Sequence, residues 1–414
     1  MTQKQSLLNR TACGCIATAF MVASLISLAT PGLAQNYQVI HTFSGQGEGA
    51  NPLAGLTPDG HGNFYGTTRF GGAYQHGTVF KMSPHGSSWI VSPLYSFTRG
   101  TDGANPAARV VFGPNGSLYG TTSSPETNDT VYNLQPPPNR QSSATVNWGI
   151  TTLYPFQGLP DGLLPTGDVI FDSFGNLYGA VTLGGPGCYD GCGSIYVLTH
   201  SGGEWTKSVA YAFQGGNDGE LPQGVLFDSS GNMFGTAYQG GAHGEGTIFE
   251  LTPSSGGWQE TTLYAFSDTG SGGYLPEAGL IEDAAGNFYG GTSDGPGNSG
   301  VIFELSHSNG GWTYTVLCNL PSQYDGGPAA PLTMDAAGNL YGTINGFGEG
   351  PGGIFKLTHG QNGWTFTSLH DFTGGSDGGK PYSNVYIDAN GNLFGTASGG
   401  GNSNSDGVVW EITP

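Results

Sequence analysis

The sequence predicts an all-β protein, a seven-bladed β-propeller of four-stranded blades. Three observations carry this expectation. An aromatic–glycine step returns seven times at an even period, each copy holds four short apolar runs separated by turn signals, and the two ends of the chain are complementary fragments of one copy.

The step begins at Phe64, Leu118, Leu177, Met233, Phe288, Leu340 and Leu393, and its aromatic positions are Tyr65, Tyr119, Tyr178, Phe234, Tyr289, Tyr341 and Phe394. Successive spacings are 54, 59, 56, 55, 52 and 53 residues. Within a copy, a short run such as GVLFDSSGN supplies the first strand and a hairpin turn, and the aromatic–glycine step is the second strand. A Gly-rich loop follows, then a third strand: GTVFKM, DTVYNL, GSIYVL, GTIFEL, GVIFEL, GGIFKL and GVVWEI. A fourth strand opens on Trp in six copies, at Trp89, Trp148, Trp205, Trp258, Trp312 and Trp364. Gly and Pro, at 76 and 25 of 414 residues, punctuate these runs as turn residues do. The 36% hydrophobic content spread along the chain is enough for a packed core.

The ends complete the argument. The last copy stops at GVVWEITP, after its third strand, and NYQVIHTF precedes the first copy with the pattern of a fourth strand. The spare strand, about Tyr37 to Phe43, is predicted to join the last blade and close the ring, leaving no open sheet edge.

Residues 1–34 read as a secretory signal peptide. Lys4 and Arg10 precede an apolar run from Ala12 to Ala29, and Gly32 and Ala34 offer small residues for cleavage. The remaining domain, residues 35–414, has 30 acids against 8 bases, a formal charge of −22. That field repels nucleic acid and anionic bilayers and leaves cations, cationic partners and neutral glycans as ligands. No second apolar segment follows, so no membrane span is expected after cleavage, and the location is secreted, periplasmic or cell-surface. Cys188 and Cys192, in GPGCYDGCG, suit a loop-closing disulfide in an exported protein. No Cys/His cluster accompanies them to complete a zinc site. Cys318, which stands where sister copies have Tyr or His, reads as a buried thiol.

The assembled pattern, D-x-x-G-N-L-Y-G-T-T, a G-G loop, G-T-V-F-x-L and a Trp-led strand, resembles the exported bacterial choice-of-anchor tandem repeat GloVer-containing proteins over residues 37–414. The resemblance implies a compartment and a repeat fold and assigns no activity. Members tend to carry C-terminal sorting segments, whereas here the last repeat ends at Pro414.

Two sets of acids recur. Asp59, Asp172, Asp228, Asp283, Asp335 and Asp388 open D-x-x-G-N turns, where one carboxylate per turn suits a hairpin and is too few for a calcium loop. Glu48, Asp102, Asp161, Asp218 and Asp377 lie four residues before a proline in the loop joining one blade to the next, with Asp325 displaced. On a propeller that loop shares a face with the channel mouth. These six are therefore the candidate ligand-binding acids, able to hold a divalent cation such as calcium, although no cofactor is required. Their alternative role is again an acid–glycine turn. His76 and His243, in Gly-rich loops, read as exposed polar residues. The aromatics of the second and third strands and the Trp residues read as blade packing.

No nucleophile elbow, zincin motif, phosphate loop or dinucleotide fingerprint is present. The expected function is a binding module at or beyond the cell envelope for a glycan, peptide, cation or protein. The alternatives are a carbohydrate- or lactone-active hydrolase or lyase using channel-mouth carboxylates, and a structural envelope repeat.

Overall fold

In a computed structural model, residues 35–124, 129–137, 148–188, 191–308, 310–346, 350–361 and 363–414 are described. The proposed signal peptide lies outside them. Seven four-stranded antiparallel sheets form, each a meander, and together they make the seven-bladed propeller. The first blade shows the pattern. β1 (Asn36–Thr42) comes before it, and β2 (Thr57–Pro58), β3 (Phe64–Thr68), β4 (Thr78–His85) and β5 (Ser88–Ser96) then follow from centre to rim. Blades are numbered by their aromatic–glycine strands, from Phe64 in the first to Leu393 in the seventh.

The seventh sheet is closed by the N-terminal strand. β1 pairs antiparallel with Val408–Thr413, Asn36 opposite Thr413 and Thr42 opposite Val408. Tyr37 also stacks on His370 of the sixth blade at 3.6 Å. Phe43 is fully buried.

The cross-strand register explains the aromatic–glycine step. Gly66 pairs with Phe80, Gly235 with Phe249, and Gly395 with Trp410, and the other blades repeat the pairing. The third-strand ring lies across the glycine, so a β-carbon at Gly235 would stand 2.6 Å from Phe249 Cζ and 2.4 Å from the Gly224 carbonyl. Those third-strand rings are wholly buried in all seven blades. Between blades the described core falls into seven apolar clusters, one per interface. At one of them, Tyr119 of the second blade meets Leu177 and Tyr196 of the third.

The D-x-x-G-N turns are hairpin closures, as the one-carboxylate count predicts. Asp228 Oδ1 accepts the Ser230 and Asn232 amides, each at 2.8 Å, and Oδ2 accepts Asn232 Nδ2 at 2.9 Å. Asp59, Asp172, Asp283, Asp335 and Asp388 repeat this geometry. The first strands differ from the expected uniform run. They are two residues long in most blades but span Leu163–Phe171 and Glu220–Phe227 in blades three and four, where Gly167 and Gly224 let the two chains approach.

Cys188 and Cys192 are joined by a disulfide. Cys318 is a free, partly buried thiol packed against the interface of blades five and six, and burial pushes its pKa up. Among the described residues no helix is long and apolar enough to cross a membrane.

Candidate functional site

The first strands and the segments leading into them line a central cavity of about 850 Å³, to which all seven blades contribute. Its volume lies within the ~300–1,000 Å³ of pockets that hold small molecules.

None of the six predicted acids lines this cavity. Five are turned into their own loops. Asp102 accepts Tyr95 Oη at 2.9 Å, the Thr98 amide at 2.7 Å and Thr98 Oγ1 at 2.6 Å. Asp161 accepts Tyr154 Oη and the Gln157 amide, both at 2.9 Å, and an ion pair from Lys207 at 2.7 Å. Asp218 accepts Tyr211 Oη and the Gln214 amide at 2.8 Å. Asp377 accepts the Thr373 amide at 2.9 Å and faces His370 at 3.2 Å, while Glu48 accepts the Ser44 amide at 3.0 Å and faces His41 at 3.2 Å. In each case the aromatic partner lies seven residues earlier, at the end of the fourth strand.

Burial alone would raise the carboxyls of Asp102, Asp161 and Asp377, but these donors outweigh it and hold all three below the usual range. At the end of the fifth blade Cys318 occupies the aromatic position, and Asp325, seven residues on in the loop to the sixth, is exposed in a left-handed turn. In the loop from the fourth blade to the fifth the acid is absent, and Tyr264 of blade four stacks on Tyr314 of blade five at 3.9 Å instead. In five loops the acid thus caps its own turn, and none of the six acids is among the residues that line the cavity. Among the described residues no three His, Cys, Asp or Glu side chains converge as metal ligands.

The residues that do face the cavity break the sevenfold repetition. Counted from the proline that recurs in each repeat, before the first strand in five blades and within it in blades three and four, the next residue is Leu53, Ala107, Thr166, Gln223, Glu277, Ala329 or Tyr382. Two residues further stand Gly55, Arg109, Asp168, Gly279, Pro331 and Asn384, the fourth blade being one residue shorter. The position after that stays apolar and packs between blades, as Leu56, Val110, Val169, Leu280, Leu332 and Val385 do.

Two polar arcs result. Arg109 and Asp168, from blades two and three, form an ion pair at 2.7 Å through Nη2 and 2.8 Å through Nε, and Asp168 also accepts the Arg109 amide at 3.1 Å. From blade five, Glu277 lines the cavity with Oε2 buried and without a hydrogen-bond partner among the described residues. Burial pushes its carboxyl up to about 7 against the opposing influence of Asn345 beside it. Asn345 is wholly buried beside Glu277 and is not itself a lining residue, and at full hydrogen-bond geometry neither end of its amide has a partner among the described residues. Tyr382 of blade seven lies between two charges, raised by burial and by Glu277 and lowered by Arg69 of blade one. Phe70, 44% exposed, adds an aromatic face at the mouth, with the Arg69 guanidinium 5.3 Å from its ring centre.

With this geometry in place, three stretches of the chain, residues 25–146, 141–299 and 271–414, match the Gloeobacter/Verrucomicrobia repeat. The chain belongs to that repeat family, in agreement with the resemblance carried by its motifs. No curated protein matches it. Among solved structures it is similar to a provisionally named 6-phosphogluconolactonase from Bacteroides uniformis, at 12% identity over 77% of this chain and 84% of that one, with a TM-score of 0.47. A protein from Lactobacillus plantarum matches at 13% identity over 81% and 95%, TM-score 0.48. A provisionally named oxidoreductase (glucose dehydrogenase) from Thermus thermophilus matches at 16% identity over 74% and 96%, TM-score 0.43.

Proposed function

We propose that this member of the Gloeobacter/Verrucomicrobia repeat family is an exported binding module that takes a small hydroxyl-rich ligand, a sugar or short glycan, into its central cavity. The observation that carries this reading is the selective loss of symmetry. Scaffold positions repeat seven times, while the cavity-facing positions one and three residues after each proline differ in size, charge and polarity. Duplication alone would repeat both. The lining mixes amide, hydroxyl and charged groups with apolar surface, and Phe70 offers a flat face at the mouth, which is the chemistry that suits a sugar's polar rim and apolar face. Export is supported by the charge and apolar pattern of residues 1–34.

Gly279 provides the test. Its backbone is outside the left-handed region, and a β-carbon there meets only Pro331 Cγ, at an ordinary 3.5 Å. A Gly279→Tyr side chain would therefore enter the cavity without disturbing the blade. A thermal-shift panel of neutral and acidic sugars on residues 35–414 should find a ligand that raises the melting temperature. Gly279→Tyr should abolish that rise while keeping its own cooperative transition. A rise that survives the plug would place the site elsewhere.

A second reading, hydrolysis of a glycan or lactone, is favoured by Glu277 alone, because a carboxyl near 7 can donate a proton at neutral pH. Its weakness is the lack of a free second carboxylate, Asp168 being engaged by Arg109. Turnover of a chromogenic glycoside or lactone that Glu277→Gln removes would establish this reading over simple binding.

A further inference from the structure

We infer that the ligand of this cavity carries a single carboxylate, as a uronic or aldonic sugar acid does, and that the Arg69 guanidinium receives it. The inference rests on the cavity-binding reading above and names its ligand class.

The domain is strongly acidic, with only eight basic residues, yet two of them, Arg69 and Arg109, line the cavity. Arg109 is consumed by Asp168, which takes its guanidinium and its backbone amide. Arg69 makes no ion pair among the described residues, and its Nε is buried without a hydrogen-bond partner. A guanidinium partly withdrawn from water, with its Nε sealed off, gains from an anion that enters with the ligand.

Position supports the assignment. Four residues after each second-strand aromatic come Arg69, Ser123, Thr182, Tyr238, Ser293, Asn345 and Ser398, a ring of equivalent places in which only Arg69 is charged. Its stacking against Phe70 holds the planar fork at the mouth of the cavity. Beyond it, Tyr382 of blade seven and Glu277 of blade five continue the lining, with Asn345 of blade six buried beside Glu277. On the lining, Glu277 Oε2 is a buried polar atom without a hydrogen-bond partner among the described residues. A hydroxyl of a sugar ring would supply that bond while the ring's carboxylate met Arg69.

The charge count limits the anion. One free guanidinium neutralises one negative charge, and the field of a −22 domain opposes any further one. A monoanionic carboxylate fits this balance, whereas a phosphate of charge near −2 leaves an uncompensated charge beside Glu277.

Calorimetry on residues 35–414 with sodium D-galacturonate and D-glucuronate, their neutral methyl esters, the parent hexoses and glucose 6-phosphate separates the outcomes. The acid is expected to bind about 10- to 100-fold tighter than its ester, the range of a charge-assisted hydrogen bond. Arg69→Gln should erase that preference without lowering the melting temperature, since Arg69's guanidinium makes no hydrogen bond or ion pair within the described fold. Equal binding of acid and ester, a preference that survives Arg69→Gln, or tighter binding of the sugar phosphate would each overturn the inference. If neutral sugars bind as well as acids and Gly279→Tyr abolishes both, the cavity reading stands and this inference falls. If no sugar binds, both fall.

Discussion

Replacing Glu277 by glutamine should stabilise the protein, and only above mildly acidic pH. The carboxyl is pushed to about 7 chiefly by burial, with Asn345 pulling the other way. In the unfolded chain it titrates near the ordinary glutamate value of about 4.3. Between those values the native state keeps a proton that the unfolded chain releases, so stability falls as pH rises through the window, and the loss is complete above about 7. At about 1.4 kcal/mol per pKa unit, the ceiling is about 4 kcal/mol, and access of water through the cavity lowers the expected value to about 1–3 kcal/mol. Glutamine has the shape of the protonated acid and never ionises. Urea unfolding of wild type and Glu277→Gln should therefore coincide at pH 4 and separate progressively to pH 8, the variant having the higher midpoint at unchanged slope. Glu260, also pushed to about 7 by burial, is present in both proteins and cancels. A difference that is flat with pH, or one that favours the wild type at pH 8, would refute a buried carboxyl facing the cavity without a partner.

Three further outcomes follow from the blades. Gly235→Ala should cost about 1–3 kcal/mol in a urea melt, because its β-carbon meets the Phe249 ring and the Gly224 carbonyl below 3 Å. Tyr196→Phe should gain about 1 kcal/mol in the same assay, since the Tyr196 hydroxyl is buried without a partner and sister blades carry Phe there. Deleting residues 35–43 should remove soluble protein on size exclusion, because Val408–Thr413 becomes an open edge and the packing of Phe43 is lost.

The fold was legible because its determinants repeat. The glycine of each aromatic–glycine step recurs because a ring crosses it, and the spare N-terminal strand matches the strand missing at the other end. The site was not legible by the same means, since what repeats is scaffold. Asp102 and its counterparts looked like a ring of ligands, but each belongs to a Tyr or His seven residues earlier, a spacing visible in the sequence that marks a capped turn. The loop after blade four lacks the acid and blade five has Cys318 in place of the aromatic, so the pair breaks where either member is absent. Arg109, Asp168, Glu277 and Tyr382 carried a fainter signal, a change of residue type just after each proline beside a neighbour that stays apolar. Arg69 and Asn345 come together with them only because the ring brings blades five, six, seven and one around one channel. No spacing along the chain contains that closure.

The most direct test of the account sets the cavity against the acid turns. The dissociation constant of the sugar giving the largest thermal shift should be measured for wild type, Gly279→Tyr and Asp218→Asn. Binding lost in Gly279→Tyr and unchanged within about twofold in Asp218→Asn is the predicted result, because Asp218 caps its own loop through Tyr211 and the Gln214 amide and does not line the cavity. Binding that persists with the cavity filled and disappears with Asp218→Asn would contradict it.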